Sequence, residues 1–185
     1  MNLNQFLSGK ITLIALFFSL VVFSACSTLK NSNKKEAIAT VTATQASTPG
    51  EGTVRFTQKN QSVEMKLDIS FPSKAGKTVA VHIHEHGDCA EAGNAAHGHW
   101  NPTNTKHGKW GTGEYHLGDI GNVQLDQNGK GSLTLKTDKW SIGTGAANDI
   151  VGRGIIVHDG TDDYVSQPSG NAGSRIGCGP ITLVK

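Results

Sequence analysis

The strongest constraint on this chain is an absence: beyond Glu36 no segment of useful length repeats its apolar residues at helical spacing. Short apolar or alternating runs follow one another instead, at 37–44, 53–58, 62–71, 77–84, 123–126, 131–137, 150–158 and 180–184. Gln127-Asn128-Gly129-Lys130 separates the fifth and sixth runs and carries an Asn-Gly hairpin signal. The chain holds 23 glycines, many of them between these runs, as a turn-rich all-β chain requires. Eight short antiparallel strands predict an all-β barrel or sandwich. Two stretches, 85–118 and 159–179, are rich in Gly, Asn and Asp and are read as long loops. Loops of that length in a compact domain are usually functional.

The N-terminus is of a different kind. Lys10 is followed by an apolar run over 11–23, shorter than the ~20 residues of a membrane span. Residues 1–25 are therefore read as a secretory signal peptide. Ser24 and Ala25 precede Cys26, an ending that resembles a bacterial lipobox, with Phe23 where Leu is usual. Lipidation of Cys26 would make residues 26–36 a membrane tether, leaving 37–185 as the folded domain. Two other readings stay open: cleavage nearby that leaves Cys26 as a free thiol, and an uncleaved anchor. Lipidation of Cys26 leaves Cys89 and Cys178 as an even pair. In an oxidising compartment a disulfide between them is expected, against the alternative of two buried thiols. The net charge of +2 is spread over scattered basic residues, which excludes a nucleic-acid-binding face.

Histidine carries the chemistry. Of eight histidines, seven (82, 84, 86, 97, 99, 107 and 116) lie within 35 residues. Along Thr78-Val79-Ala80-Val81-His82-Ile83-His84 side chains alternate between faces. Val79, Val81 and Ile83 share the core face, so His82 and His84 share the other and can hold one ion. In Arg153-Gly154-Ile155-Ile156-Val157-His158 the same alternation puts His158 on the outer side. An all-imidazole group suits copper. Asp119 follows His116 at i+3, and with His107 and one more histidine these make a closed N/O set of structural zinc type.

These motifs make the chain resemble the copper–zinc superoxide dismutases, the exported bacterial branch in particular. They are Val81-His82-Ile83-His84-Glu85-His86-Gly87-Asp88, Gly98-His99-Trp100-Asn101-Pro102, His107-Gly108, His116-Leu117-Gly118-Asp119-Ile120-Gly121-Asn122, the 152–158 strand and 170–179. The resemblance covers roughly 37–185 and implies an eight-stranded antiparallel Greek-key β-barrel, immunoglobulin-like, with two functional loops. It implies one copper and one zinc ion per subunit. Copper would be held by His82, His84, His99 and His158, and zinc by His99, His107, His116 and Asp119, with His99 bridging. Arg175 would attract superoxide beside the copper, and His99 would carry a proton. Asp162 would join ligand rings of both metals, its neighbour Asp163 being the alternative. Cys89 and Cys178 would form the disulfide. The implied place is the bacterial periplasm or cell envelope, with a lipid anchor on Cys26. A homodimer is one arrangement the family uses.

Two features depart from the family pattern. The stretch from His158 to Arg175 has no lysine but carries Asp159, Asp162 and Asp163, so electrostatic steering would fall to residues such as Lys106 or Lys109. His86 and His97 have no family role; they are polar loop residues or an auxiliary metal-capture pair. The competing reading is a non-enzymatic periplasmic copper/zinc-binding protein. A zinc hydrolase is disfavoured, because the zinc set is closed and no His-Glu-x-x-His is present.

Overall fold

The computed structural model describes residues 34–185. The predicted signal peptide, Cys26 and most of the predicted tether lie outside the described residues. The elements are β1 (Lys35–Ala43), β2 (Glu51–Lys59), β3 (Ser62–Ser70), β4 (Thr78–His84), β5 (Gly121–Gln124), β6 (Lys130–Thr137), β7 (Gly154–His158), β8 (Arg175–Pro180) and the short β9 (Thr182–Leu183). Short 3-10 turns occupy Pro72–Lys74 and Glu91–Ala96.

Alternation builds the strands. In β3, Val63, Met65, Leu67 and Ile69 are buried, while Lys66 and Asp68 face solvent. Each such aliphatic side chain contributes ~1.5–3 kcal/mol on burial. Ala37, Ala39 and Val41 of β1, Val54 and Phe56 of β2, and Val79, Val81 and Ile83 of β4 meet them in one core. The order is β5-β4-β7-β8-β1-β2-β3-β6, all antiparallel, with β9 against β1. The β3–β4 and β6–β7 connections cross between non-adjacent strands, which makes the nearly closed barrel a Greek key.

Two departures from the sequence reading fall at the end of the chain. Residues 175–179, assigned to the second loop, lie in strand β8, which runs on to Pro180, and the rest of the predicted 180–184 strand shrinks to β9. The cause is packing. A Cβ on Gly177 would stand 2.7 Å from the Phe71 ring, and one on Gly179 would stand 2.6 Å from the Thr40 carbonyl. Only glycine lets β8 lie this close to β1, and glycine hides a strand from propensity. The Asn-Gly turn also behaves differently. Gly129 takes φ +76° and its N–H donates to the Asp126 carbonyl, but the arms part: β5 pairs with β4 and β6 with β3.

Between β6 and β7 the chain folds around Asp149. Its carboxylate accepts from the N–H groups of Gly143 (3.0 Å), Thr144 (2.6 Å), Gly145 (2.7 Å) and Val151 (3.0 Å). Burial alone would raise its pKa, but these donors outweigh it and hold it below the usual carboxylate value. Asp149→Ala is expected to cost ~1–2 kcal/mol at pH 7 by removing the charged acceptor of these part-buried backbone donors. A carboxylate whose folded pKa is depressed stabilises fully above its unfolded value of ~3.9 and loses that contribution as the pH falls through the folded one. The gap between native and variant in urea unfolding should therefore narrow below about pH 3.9. A gap that stays constant into acid would mean the ionised group is not its source.

Candidate metal centre

The non-core face of β4 lies beneath both long loops. The Ala80 N–H donates to the Gly160 carbonyl (2.8 Å), and the Ile83 N–H to that of Gly118 (2.9 Å). Gly118 is required there, since a Cβ would stand 2.2 Å from the Ile83 carbonyl oxygen. The face predicted to be outer is thus outside the barrel core yet buried, with His82 0% and His84 1% exposed.

Under the loops the predicted residues meet in two groups that share a ring. His82, His84, His99 and His158 bring one ligand atom each to within 4.8 Å of one another, and so do His99, His107, His116 and Asp119. All seven residues are buried. Asp119 Oδ1 lies 2.8 Å from His99 Nδ1, 3.0 Å from His107 Nδ1 and 3.3 Å from His116 Nδ1. Asp119 Oδ2 accepts from the N–H groups of Gly108 (3.0 Å) and His116 (2.8 Å). In the other group His84 Nε2 is 3.3 Å from His158 Nε2.

Backbone carbonyls and a carboxylate orient the rings. His84 Nδ1 donates to the His97 carbonyl (2.8 Å) and His158 Nδ1 to that of Gly173 (3.2 Å). Asp162 lies between the groups, with Oδ2 2.8 Å from His82 Nε2 and Oδ1 3.0 Å from His107 Nε2. Asp163 instead bonds Ser166 at the surface. Asn122 grips the Asp162 backbone at both N–H and carbonyl (2.9 Å each), and Gln167 does the same for His107 (2.9 and 3.0 Å).

Among the described residues four imidazole nitrogens are left buried without a hydrogen-bond partner: His82 Nδ1, His99 Nε2, His107 Nδ1 and His116 Nδ1. Orphaned buried polar atoms are rare and need a cause. The His107 and His116 nitrogens are near Asp119 Oδ1 but not aligned to bond it, as donors aimed at a common point would be. A metal ion in each group would supply the missing partner, so the residues fit two ions. Electrostatics agrees. Burial, aided by neighbouring imidazoles, lowers His158 to about 3 and, despite Asp119, lowers His99 to about 4. Both rings are therefore neutral at pH 7, the form that ligates a metal. Burial alone would lower His107 too, but the Asp119 carboxylate beside its Nδ1 and the Asp162 carboxylate bonded to its Nε2 raise it to about 9.

Arg175 begins β8 opposite His158 in the ladder. Its guanidinium donates to the carbonyls of Gly93 (2.5 Å) and His97 (2.6 Å). The His97 carbonyl thus holds both His84 and Arg175. These carbonyls were not legible in the sequence, because a backbone group leaves no residue signal. Cys89 and Cys178 form a disulfide that ties the Glu91–Ala96 turn to β8. Lys106 and Lys109 are exposed, and Lys109 Nζ lies 5.8 Å from the Tyr164 ring centroid. Lys74 forms an ion pair with Asp159.

The fold and site together define a Greek-key barrel protein with two adjacent buried metal-binding groups that have His99 in common. Residues 50–181 match the family described as copper/zinc superoxide dismutase, and the chain belongs to that family. A Cu-Zn superoxide dismutase of Paramecium bursaria Chlorella virus 1 is 33% identical over 184 residues, covering 96% of this chain and 95% of its own. A Cu-Zn superoxide dismutase of Aquifex aeolicus is 36% identical over 135 residues, covering 70% and 79%. Among solved structures, the clock protein EA4 superposes with a TM-score of 0.70 at 30% identity, over 83% of this chain and 98% of that one.

Proposed function

We propose that this chain is a superoxide dismutase that converts two superoxide anions and two protons into dioxygen and hydrogen peroxide. The observation that carries this reading is His99, which belongs to both donor groups, with Nδ1 2.8 Å from Asp119 Oδ1 and Nε2 buried without a hydrogen-bond partner. In this reading His82, His84, His99 and His158 hold copper, and His99, His107, His116 and Asp119 hold zinc. Copper supplies the one-electron couple when bound, and zinc supplies a fixed charge.

The chain's own residues do the rest. Arg175 draws in the substrate anion and presents fork-like donors to it, held by two carbonyls that leave part of the guanidinium exposed. Asp162 accepts from the far nitrogens of His82 and His107 and so keeps their Nδ1 lone pairs turned inward. His99 Nε2 gains a proton in one half of the cycle and yields it in the other. A copper-dependent dismutation assay with His158→Ala as control tests the reading; full activity without copper, or none with it, would defeat it. The alternative, a metal-binding protein without activity, would need a missing ligand or guide, and every residue for both is present.

Arg175→Ala should lower kcat/KM about 10- to 100-fold at low ionic strength and flatten its salt dependence. Metal content should stay normal. An unchanged rate at low salt would remove Arg175 from substrate capture.

Export is part of the proposal and is supported by the Cys89–Cys178 disulfide, which suits an oxidising compartment. Anchoring in the bacterial envelope through a lipid on Cys26 is the finer reading. Detergent-phase partitioning that survives Cys26→Ser would end it. Sedimentation would decide whether the chain forms a homodimer.

A further inference from the structure

His86 and His97 lie outside both buried groups, and both are exposed. The fold nevertheless joins them to Glu85 in a third compact group, one ligand atom from each falling within 4.8 Å of the others. The two rings meet edge to face with centroids 4.8 Å apart. His97 Nδ1 stands 4.0 Å from Glu85 Oε2. That distance is too long for a hydrogen bond. It is close to the widest span of two donors that share one ion, each about 2.0–2.2 Å from it.

The backbone holds this group in place. The Glu85 N–H donates to the Gly98 carbonyl (3.1 Å) and the His86 N–H to the Ala96 carbonyl (3.2 Å), so the two segments run paired. His97 takes φ +60°, which is uncommon for a residue with a Cβ. In that conformation its ring stays in solvent beside Glu85 and His86, while its carbonyl accepts from His84 and Arg175. One residue therefore faces two ways, to the surface group with its side chain and to the buried group with its main chain.

We propose that Glu85, His86 and His97 form a third metal site, which captures a divalent late first-row transition ion at the surface. Imidazole and carboxylate donors suit such ions, and Cu(II) stands highest in affinity among them. Three protein ligands leave positions for water, so this site exchanges its ion readily, unlike the closed His107, His116 and Asp119 group. Hard cations such as Mg(II) prefer all-oxygen surroundings and compete poorly. The site lies one residue's backbone from the four-histidine group, where a captured ion is poised to be passed inward.

The test is Cu(II) titration of the full purified chain against its His86→Ala variant, read by calorimetry, metal analysis and copper EPR. The native chain should bind one equivalent more than the variant at matched free copper, with nitrogen coupling from two imidazoles. Removing one imidazole should weaken this equivalent about tenfold or more, since even an outer partner is worth 10–100-fold. Glu85→Gln should weaken it less. A tenfold excess of Mg(II) should change nothing. The comparison is a difference between two chains and does not depend on what the buried groups hold or on whether the protein dismutates superoxide. His86 is exposed, so the variant should fold and keep the native dismutation rate. Equal stoichiometry and affinity in the two chains, or displacement by Mg(II), would overturn the proposal.

Discussion

Replacing Cys89 and Cys178 together by serine is expected to lower the unfolding free energy by about 4–5 kcal/mol in the chain-entropy account of a bridge this long. The bridged residues are 89 apart in sequence with Cα atoms at 5.7 Å, so the unfolded chain regains a large loop when the bond is absent. The second effect is functional. The bridge anchors the segment whose Gly93 and His97 carbonyls hold the Arg175 guanidinium. Its loss should therefore lower kcat/KM at low ionic strength in the same way as Arg175→Ala. Urea unfolding and rate measurements on the double variant check both effects. A less stable protein with an undiminished rate would show that Arg175 keeps its place without this segment.

Asp162→Asn should weaken zinc binding about 10- to 100-fold, the usual effect of removing a partner that orients a ligand. Its two oxygens accept from His82 Nε2 and His107 Nε2. Burial raises the pKa of Asp162, but the His107 and His82 bonds outweigh this and hold it well below the usual carboxylate range, so both oxygens accept at neutral pH. An amide of the same shape has one acceptor and one donor. One ring would then flip its proton inward, onto the nitrogen meant for the metal, or lose its partner. Chelator competition would measure the zinc affinity and EPR would report the copper environment. Native affinity in the variant would mean that packing alone orients the rings.

What the sequence disclosed follows from what leaves a mark in it. Alternation in β4 assigned Val79, Val81 and Ile83 to the core and His82 and His84 to the opposite face, because a strand's period is visible residue by residue. The spacing of His107, His116 and Asp119 survived folding as one group because Gly118 lets their loop lie on Ile83. β8 was missed because its glycines answer to the nearness of β1, a tertiary fact without a local pattern. The resemblance pointed to Asp162 and left Asp163 as the alternative. Asp162 is 1% exposed between two rings and Asp163 bonds Ser166 at the surface, a difference set by a loop path that only packing determines. The carbonyls of Gly93, His97 and Gly173 were beyond reach, since every residue has one.

A single imidazole with a nitrogen in each group has a thermodynamic consequence. If the two ions share His99, their binding equilibria are linked. Whatever factor zinc confers on the affinity for copper, copper must confer equally on the affinity for zinc. Zinc, by fixing the tilt of that ring before copper arrives, would remove part of the ordering cost of the second ion. The same free energy would then make the fully loaded protein slower to lose either metal than a chain carrying only one, a difference that release kinetics into a chelator would measure directly.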